Sequence, residues 1–141
     1  MLEVRELSSV SLAGGQRVLA AAVREATSIE VPSCVAVADH AGNLVLFARM
    51  DGAPLLSSQI AQDKAYTVAA FGLPTHEWWE LLEGEPALLH GIIKTDRLIV
   101  FGGGVPIIVG GQLVGAIGVS GGSAEQDRHV AEAGAGALHG E

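Results

Sequence analysis

The sequence predicts a mixed α/β chain of the α+β kind, with a five-stranded, mainly antiparallel sheet flanked by helices on both faces. Three observations carry that expectation. Short runs rich in Val, Ile, Leu and Phe are separated by glycine-bearing turns, the pattern of strands joined as hairpins. Segments with apolar residues at three- and four-residue intervals stand before, between and after those runs and read as helices. The resulting order is helix, two strands, helix, short helices, three strands, helix, and its economical packing is one sheet covered on both sides. At 141 residues the chain suits one domain, taken as residues 1–141.

The first helix spans residues 11–28, where Leu12, Val18, Leu19, Ala22, Val23 and Ala26 fall at helical spacing. Strands follow at about 34–39 and 44–50, joined through His40-Ala41-Gly42-Asn43, with Gly42 and Asn43 suited to positive φ. A second helix runs over residues 55–71 and stops at Gly72 and Pro74. Residues 75–94 read as one or two short helices. Strands are then expected near 98–101, 105–109 and 113–119, with Gly110-Gly111 as a tight turn. The last helix opens at Ser123, where Ser-Ala-Glu-Gln fits a capping box closed by Gln126.

Residues 98–124 contain no Asp, Glu, Lys, Arg or His over 27 positions. Nine glycines and Pro106 argue against a membrane helix there and for buried strands linked by tight turns. Hydrophobic residues make up 49% of the chain and charged residues only 17%, so apolar surface is expected to be hidden against further copies, as a homo-oligomer. Sixteen acidic against eight basic side chains, a net charge of −8, disfavour nucleic acid and anionic lipid as partners. Glu3, Arg5 and Glu6 stand where an export signal needs apolar residues, and Cys34 has no second cysteine to pair with, so a cytoplasmic home is expected. Its apolar neighbours predict a buried, inert thiol.

Lys64 is the most informative charge. Ile60, Lys64, Val68 and Phe71 share one arc of the second helix, so its ammonium emerges from an apolar face. Three readings stand open: a snorkelling stem whose ammonium reaches solvent, a structural ion pair with Asp39, Asp51 or Asp127, or a cation held for an anionic ligand, including a tuned amine acting in catalysis. Gly102-Gly103-Gly104 allows backbone N–H groups close approach to a ligand, and Ser120-Gly121-Gly122-Ser123 does the same at a helix start; both stretches equally suit plain turns and a cap satisfied within the protein. Arg49 can clamp a carboxylate or pair with Asp51, and Met50 and Tyr66 are core or pocket-wall residues. The histidines at 40, 76, 90, 129 and 139 show no metal spacing, so no metal site is expected, while His76 and His90 remain candidates for haem iron. Of Trp78 and Trp79, one is expected to meet the core and the other a neighbour or groove.

The motifs ARMDGAP (48–54), DKAYT (63–67), FGGGVPI (101–107) and GAIGVSGG-x-x-EQD (115–127) closely resemble the GlcG/HbpS family, related to the C-terminal domain of PduO, over roughly residues 12–137. That resemblance implies a profilin-like fold and assembly into dimers or larger rings, commonly octamers. It implies haem as a candidate cofactor, since some members bind haem; others belong to pathways for glycolate, diols or aromatic acids. Its recurring positions are Asp39, Arg49, Asp51, Lys64, Gly102, Gly103, Gly104, Pro106, Gly121, Gly122, Gln126 and Asp127. Lys64, the triple glycine and the start of the last helix are thereby expected to line one pocket. Three functions follow: a binding protein for haem or another small carboxylate-bearing ligand; an enzyme or accessory protein acting on a small organic acid or aldehyde, with Lys64 binding and Asp127 or Asp39 as acid/base; or a non-catalytic assembly component.

Overall fold

A computed structural model describes residues 3–138. The chain runs α1 (Leu12–Ser28), β1 (Cys34–Asp39), β2 (Leu44–Arg49), α2 (Leu56–Phe71), a 3-10 turn (Thr75–Glu77), α3 (Trp78–Leu82), α4 (Pro86–Ile92), β3 (Gly104–Val109), β4 (Gln112–Ser120), α5 (Ala124–Ala135) and a closing 3-10 turn (Gly136–Leu138). The sheet is antiparallel with four strands in the order β2-β1-β4-β3, one fewer than the sequence predicts.

The missing strand is residues 98–101. Their β-favouring side chains are overruled because the backbone crosses the end of α2 instead of running beside another strand. Ile99 N–H donates to Thr67 Oγ1 at 3.0 Å, and Gly104 N–H to Thr75 Oγ1 at 2.8 Å, so side-chain hydroxyls replace the ladder. Arg97 at φ 64° and Gly103 at φ 127° turn the segment at its two ends. The other strands lie where expected. Gly110 and Gly111 both take positive φ in the β3–β4 hairpin, whereas in the β1–β2 turn only Gly42 does and Asn43 does not.

The two faces of the sheet are built from different residues. Val35 and Val37 of β1, Ile107 of β3 and Ile117 and Val119 of β4 project to one side, into a core with Val18, Ala22 and Ala26 of α1 and Val130 and Ala131 of α5. Cys34, Ala36 and Ala38 project to the other, against Ala61 and Ala65 of α2. This alternation is the two-residue period of a strand covered on both faces. Small side chains let α2 approach closely: a Cβ on Gly118 would run into the Ala61 carbonyl oxygen. The buried stripe of α2 is Ser57, Ala61, Lys64, Ala65 and Val68, so the apolar arc lies to one side of the expected one, and Phe71 is exposed against Trp78. The close approach drives Lys64 into the sheet's end.

Ser11 caps α1 by accepting from Gly14 N–H at 3.0 Å. At α5 the full capping box forms: Ser123 Oγ accepts from Gln126 N–H at 3.1 Å and Gln126 Oε1 from Ser123 N–H at 2.9 Å. Among the described residues no helix is long and apolar enough to cross a membrane.

Candidate functional site

The triple glycine leads into β3 and separates two clusters of functional side chains. On its inner side lies Lys64, fully buried. Its Nζ donates to the Val119 carbonyl at 2.8 Å and to Asp127 Oδ2 at 3.2 Å, and lies 5.1 Å from the centre of the Phe101 ring. Asp127 Oδ1 in turn accepts from Gly122 N–H at 2.9 Å. A Cβ on Gly103 would come within 2.5 Å of Lys64 Nζ and 2.6 Å of the Val119 oxygen, which explains a glycine where φ is also +127°.

Burial pushes the Lys64 pKa down, against the opposing pull of Asp127. Burial likewise pushes Asp127 up, against Lys64 and the backbone donors of Gly122 and Gly121. Desolvation dominates at both ends, as it does for an ion pair enclosed by protein. Of the three partners the sequence offers Lys64, the structure selects Asp127. The helix-start donor of Gly122 is satisfied by this carboxylate, and Ser123 N–H by Gln126, so of the two readings of this helix start the internally satisfied cap is the one found.

The remaining sequence candidates are dispersed. Asp39 ends β1 at the opposite end of the strand, where Oδ1 accepts from Ala41 N–H at 2.9 Å and Asn43 N–H at 3.0 Å to cap the hairpin. Arg49 Nη1 donates to the Ala53 carbonyl at 3.2 Å, and Met50 Sδ accepts from Ser33 N–H at 3.4 Å; neither meets Lys64, because β2 is the far edge of the sheet. Asp51 is exposed. Gly121 packs under Pro32, whose carbonyl oxygen a Cβ would strike. Cys34 is buried beside Ser58. His40 Nδ1 contacts the Leu113 carbonyl at 3.0 Å, His129 Nε2 lies 2.7 Å from Glu25, and His90 is exposed on α4. His139 lies outside the described residues. Trp78 is buried and Trp79 exposed, so one of the two meets the core as the sequence predicts. Among the described residues no three His, Cys, Asp or Glu side chains group as metal ligands.

On the outer side of the triple glycine is a groove of about 530 Å³ between β3, the 75–77 turn and α5. Val105, Pro106 and Ile108 supply its apolar floor; His76, Arg128 and Glu132 supply its polar wall. The loop and the histidine are in contact, since a Cβ on Gly102 would lie 3.4 Å from His76 Cβ and 3.0 Å from the Ala124 carbonyl oxygen. His76 Nδ1 is buried without a hydrogen-bond partner, and Nε2 is 3.7 Å from Glu77, beyond hydrogen-bonding distance. Burial first, and then the Arg128 guanidinium, push the His76 pKa below the usual imidazole range, so the ring is neutral at pH 7. Arg128 Nε is 3.5 Å from Glu132 one helical turn on, an exposed and weak pairing that leaves the guanidinium available.

Sequence reasoning brought out His76 and Pro106 but missed Arg128 and Glu132. The available signal was the helical step from Asp127: neighbouring residues on a helix differ by about 100°, so an inward Asp127 sends Arg128 to another face.

The family described as haem-degrading protein HbpS-like matches residues 10–136. An uncharacterised 15.0 kDa protein from the dhaT-dhaS intergenic region of Citrobacter freundii is 39% identical over 94% of both chains. The crystal structure of Klebsiella pneumoniae protein ORFY superposes with a TM-score of 0.93 at 34% identity, covering 100% of this chain and 98% of that one. A crystal structure of a PduOC–haem complex superposes with a TM-score of 0.82 at 32% identity, covering 93% and 96%.

Proposed function

Because this chain belongs to the HbpS-like family, we propose that it binds haem, and that the groove bearing His76 and Arg128 receives it. The observation that carries the proposal is the state of His76: a groove-wall imidazole, kept neutral by its surroundings, with neither nitrogen in a hydrogen bond to the protein. The PduOC relative with haem bound supports the choice of ligand.

The residues fit the group. When bound, haem would supply an iron that accepts a nitrogen ligand and two propionates that pair with cations. His76 would offer Nε2 to the iron, Arg128 would pair with a propionate, and Val105, Pro106 and Ile108 would cover the porphyrin. Among the described residues Nδ1 has no hydrogen-bond partner, so ligation would lack the supporting hydrogen bond that strengthens an iron-binding histidine, and moderate affinity is expected. Lys64, Asp127 and Gly103 act here as positioning residues, bracing the Gly102–Gly104 strap against which His76 rests. Asp39, Arg49 and Met50 have no part in this groove.

The same two donors, His76 and Arg128, also suit a small organic acid, the second reading, which the groove's polar wall favours. Self-association belongs to the proposal as well: Leu56, Trp79, Ile93 and Phe101 are large apolar side chains left exposed, surface that a further copy of the chain can cover.

Titration with hemin tests the assignment. The Soret band is expected to shift and saturate near one haem per chain, to lose the shift in His76→Ala, and to keep it in His90→Ala. No saturable shift, or an unchanged titration in His76→Ala, rejects it. Saturable binding of acetate or glycolate by calorimetry, lost in His76→Ala and without any hemin response, favours the organic acid.

A further inference from the structure

A second cavity, of about 220 Å³, opens where the last turns of α2 meet α3 and residues 92–98, with none of the haem groove's lining residues in its wall. Tyr66, Phe71 and Trp78 line it with Ile92, while Thr95 and Asp96 add polar groups. Mostly apolar, aromatic walls with a few polar groups are the usual make-up of a small-molecule site.

Three features define what would fit. The Phe71 and Trp78 rings lie 4.9 Å apart at 41°, giving the cavity a tilted aromatic corner. Tyr66 is covered by the Arg97 guanidinium at 4.1 Å, and Arg97 Nε is also bonded to Asp63 at 2.9 Å, so the neighbouring cation is committed away from Asp96. Among the described residues Asp96 has no ion pair of its own. Apolar aromatic walls beside an unpaired carboxylate recognise a guest with a ring at one end and a cation at the other: the walls cover the ring and the carboxylate gives the cation a charge-assisted hydrogen bond. Size sets the rest. A dry cavity of roughly 150 Å³ accepts benzene, so this one has room for a single ring with a short substituent. The chain's net charge of −8 favours the approach of such a guest.

We propose that this cavity is a binding site for a small aromatic primary amine, its ring among Tyr66, Phe71 and Trp78 and its ammonium on Asp96. A neutral alcohol of the same shape keeps the ring contacts and loses the charge pairing, and a carboxylate meets Asp96 as a like charge. The site stands apart from the haem groove and does not depend on what that groove binds.

Fluorescence of the Trp79→Phe chain tests it, because Trp79 is exposed and Trp78 is then the single tryptophan. Benzylamine is expected to produce a saturable change, benzyl alcohol to bind at least about tenfold more weakly, and benzoate to produce none. Adding Asp96→Asn, at an exposed position, is expected to bring benzylamine to the level of the alcohol. An absent response to benzylamine, equal binding of the alcohol, or an amine preference that survives Asp96→Asn overturns the proposal.

Discussion

Asp127 and Arg128 are consecutive on α5 and have opposite fates. Asp127 turns inward, is 3% exposed, and spends both carboxylate oxygens on Lys64 and Gly122. Arg128 turns outward to the groove wall with about half of its side chain exposed and only a loose contact to Glu132. A charge enclosed with all its partners is part of the framework. A charge beside a concave apolar surface with its bonding capacity in reserve can take a ligand. The triple glycine divides these two environments, being thin enough for Lys64 to lie against one side and His76 against the other.

The largest effect expected from breaking this contrast is on stability. Asp127→Ala leaves the Lys64 ammonium buried without its counter-charge and is expected to cost about 3–5 kcal/mol. Lys64→Met combined with Asp127→Asn removes both charges while keeping an acceptor for Gly122 N–H, and is expected to recover at least half of that loss. Urea denaturation of the three chains measures the difference. If Asp127→Ala were as stable as the parent, the inner cluster would not be a framework pair.

pH sharpens the comparison. Burial raises the Asp127 pKa, so the folded chain holds a proton that the unfolded chain releases in the ordinary carboxylate range; stability contributed by Asp127 is present in acid and falls as pH rises through its raised pKa. Lys64 is lowered, so stability is regained as pH rises from its lowered pKa towards 10.5, where the unfolded lysine still holds its proton. Melting temperatures of the parent minus those of the Lys64→Met, Asp127→Asn chain should therefore dip between the acidic and alkaline ends; a flat difference would contradict burial as the dominant cause. His76 behaves differently, because its lowered pKa keeps the imidazole neutral below pH 6.5, and hemin binding through it should persist to a pH below 6.5 before protonation competes.

The smallest effect belongs to the outer wall. Arg128→Ala should change stability by less than about 0.5 kcal/mol, since the exposed pair with Glu132 contributes little. It should nevertheless weaken hemin binding about three- to tenfold through the lost propionate contact, a modest change because the site is open to solvent. An unchanged hemin titration would remove Arg128 from the site.

Helix starts and stops were legible at Ser11, Gly72 and Ser123 because capping is local chemistry, decided within three or four residues. Lys64 was legible as a cation on an apolar helical face, which left a solvent-reaching stem, an ion pair and a ligand site open; its full burial against Asp127 excludes the first. Residues 98–101 were misread as a strand because their composition is that of a strand; the crossing over α2, with Thr67 satisfying the backbone, involves residues about thirty positions apart. Asp39, Arg49 and Met50 were singled out with the site residues, yet Asp39 lies at the opposite end of β1, and Arg49 ends the far edge strand with Met50 just after it, a separation that no motif reveals.

Taken alone, the sequence determined the helices and four of the strands, the turns at Gly42 and Gly110-Gly111, and the emergence of Lys64 from an apolar helical face, since each depends on the intrinsic geometry and hydration of nearby residues. Tertiary structure decided which aspartate meets that lysine, which strands form the sheet edges, and that His76, Pro106 and Arg128 share a groove. Those outcomes depend on how closely α2 and α5 approach the sheet, a distance controlled by small residues such as Gly118 and Gly134 whose influence appears only when the layers are brought together.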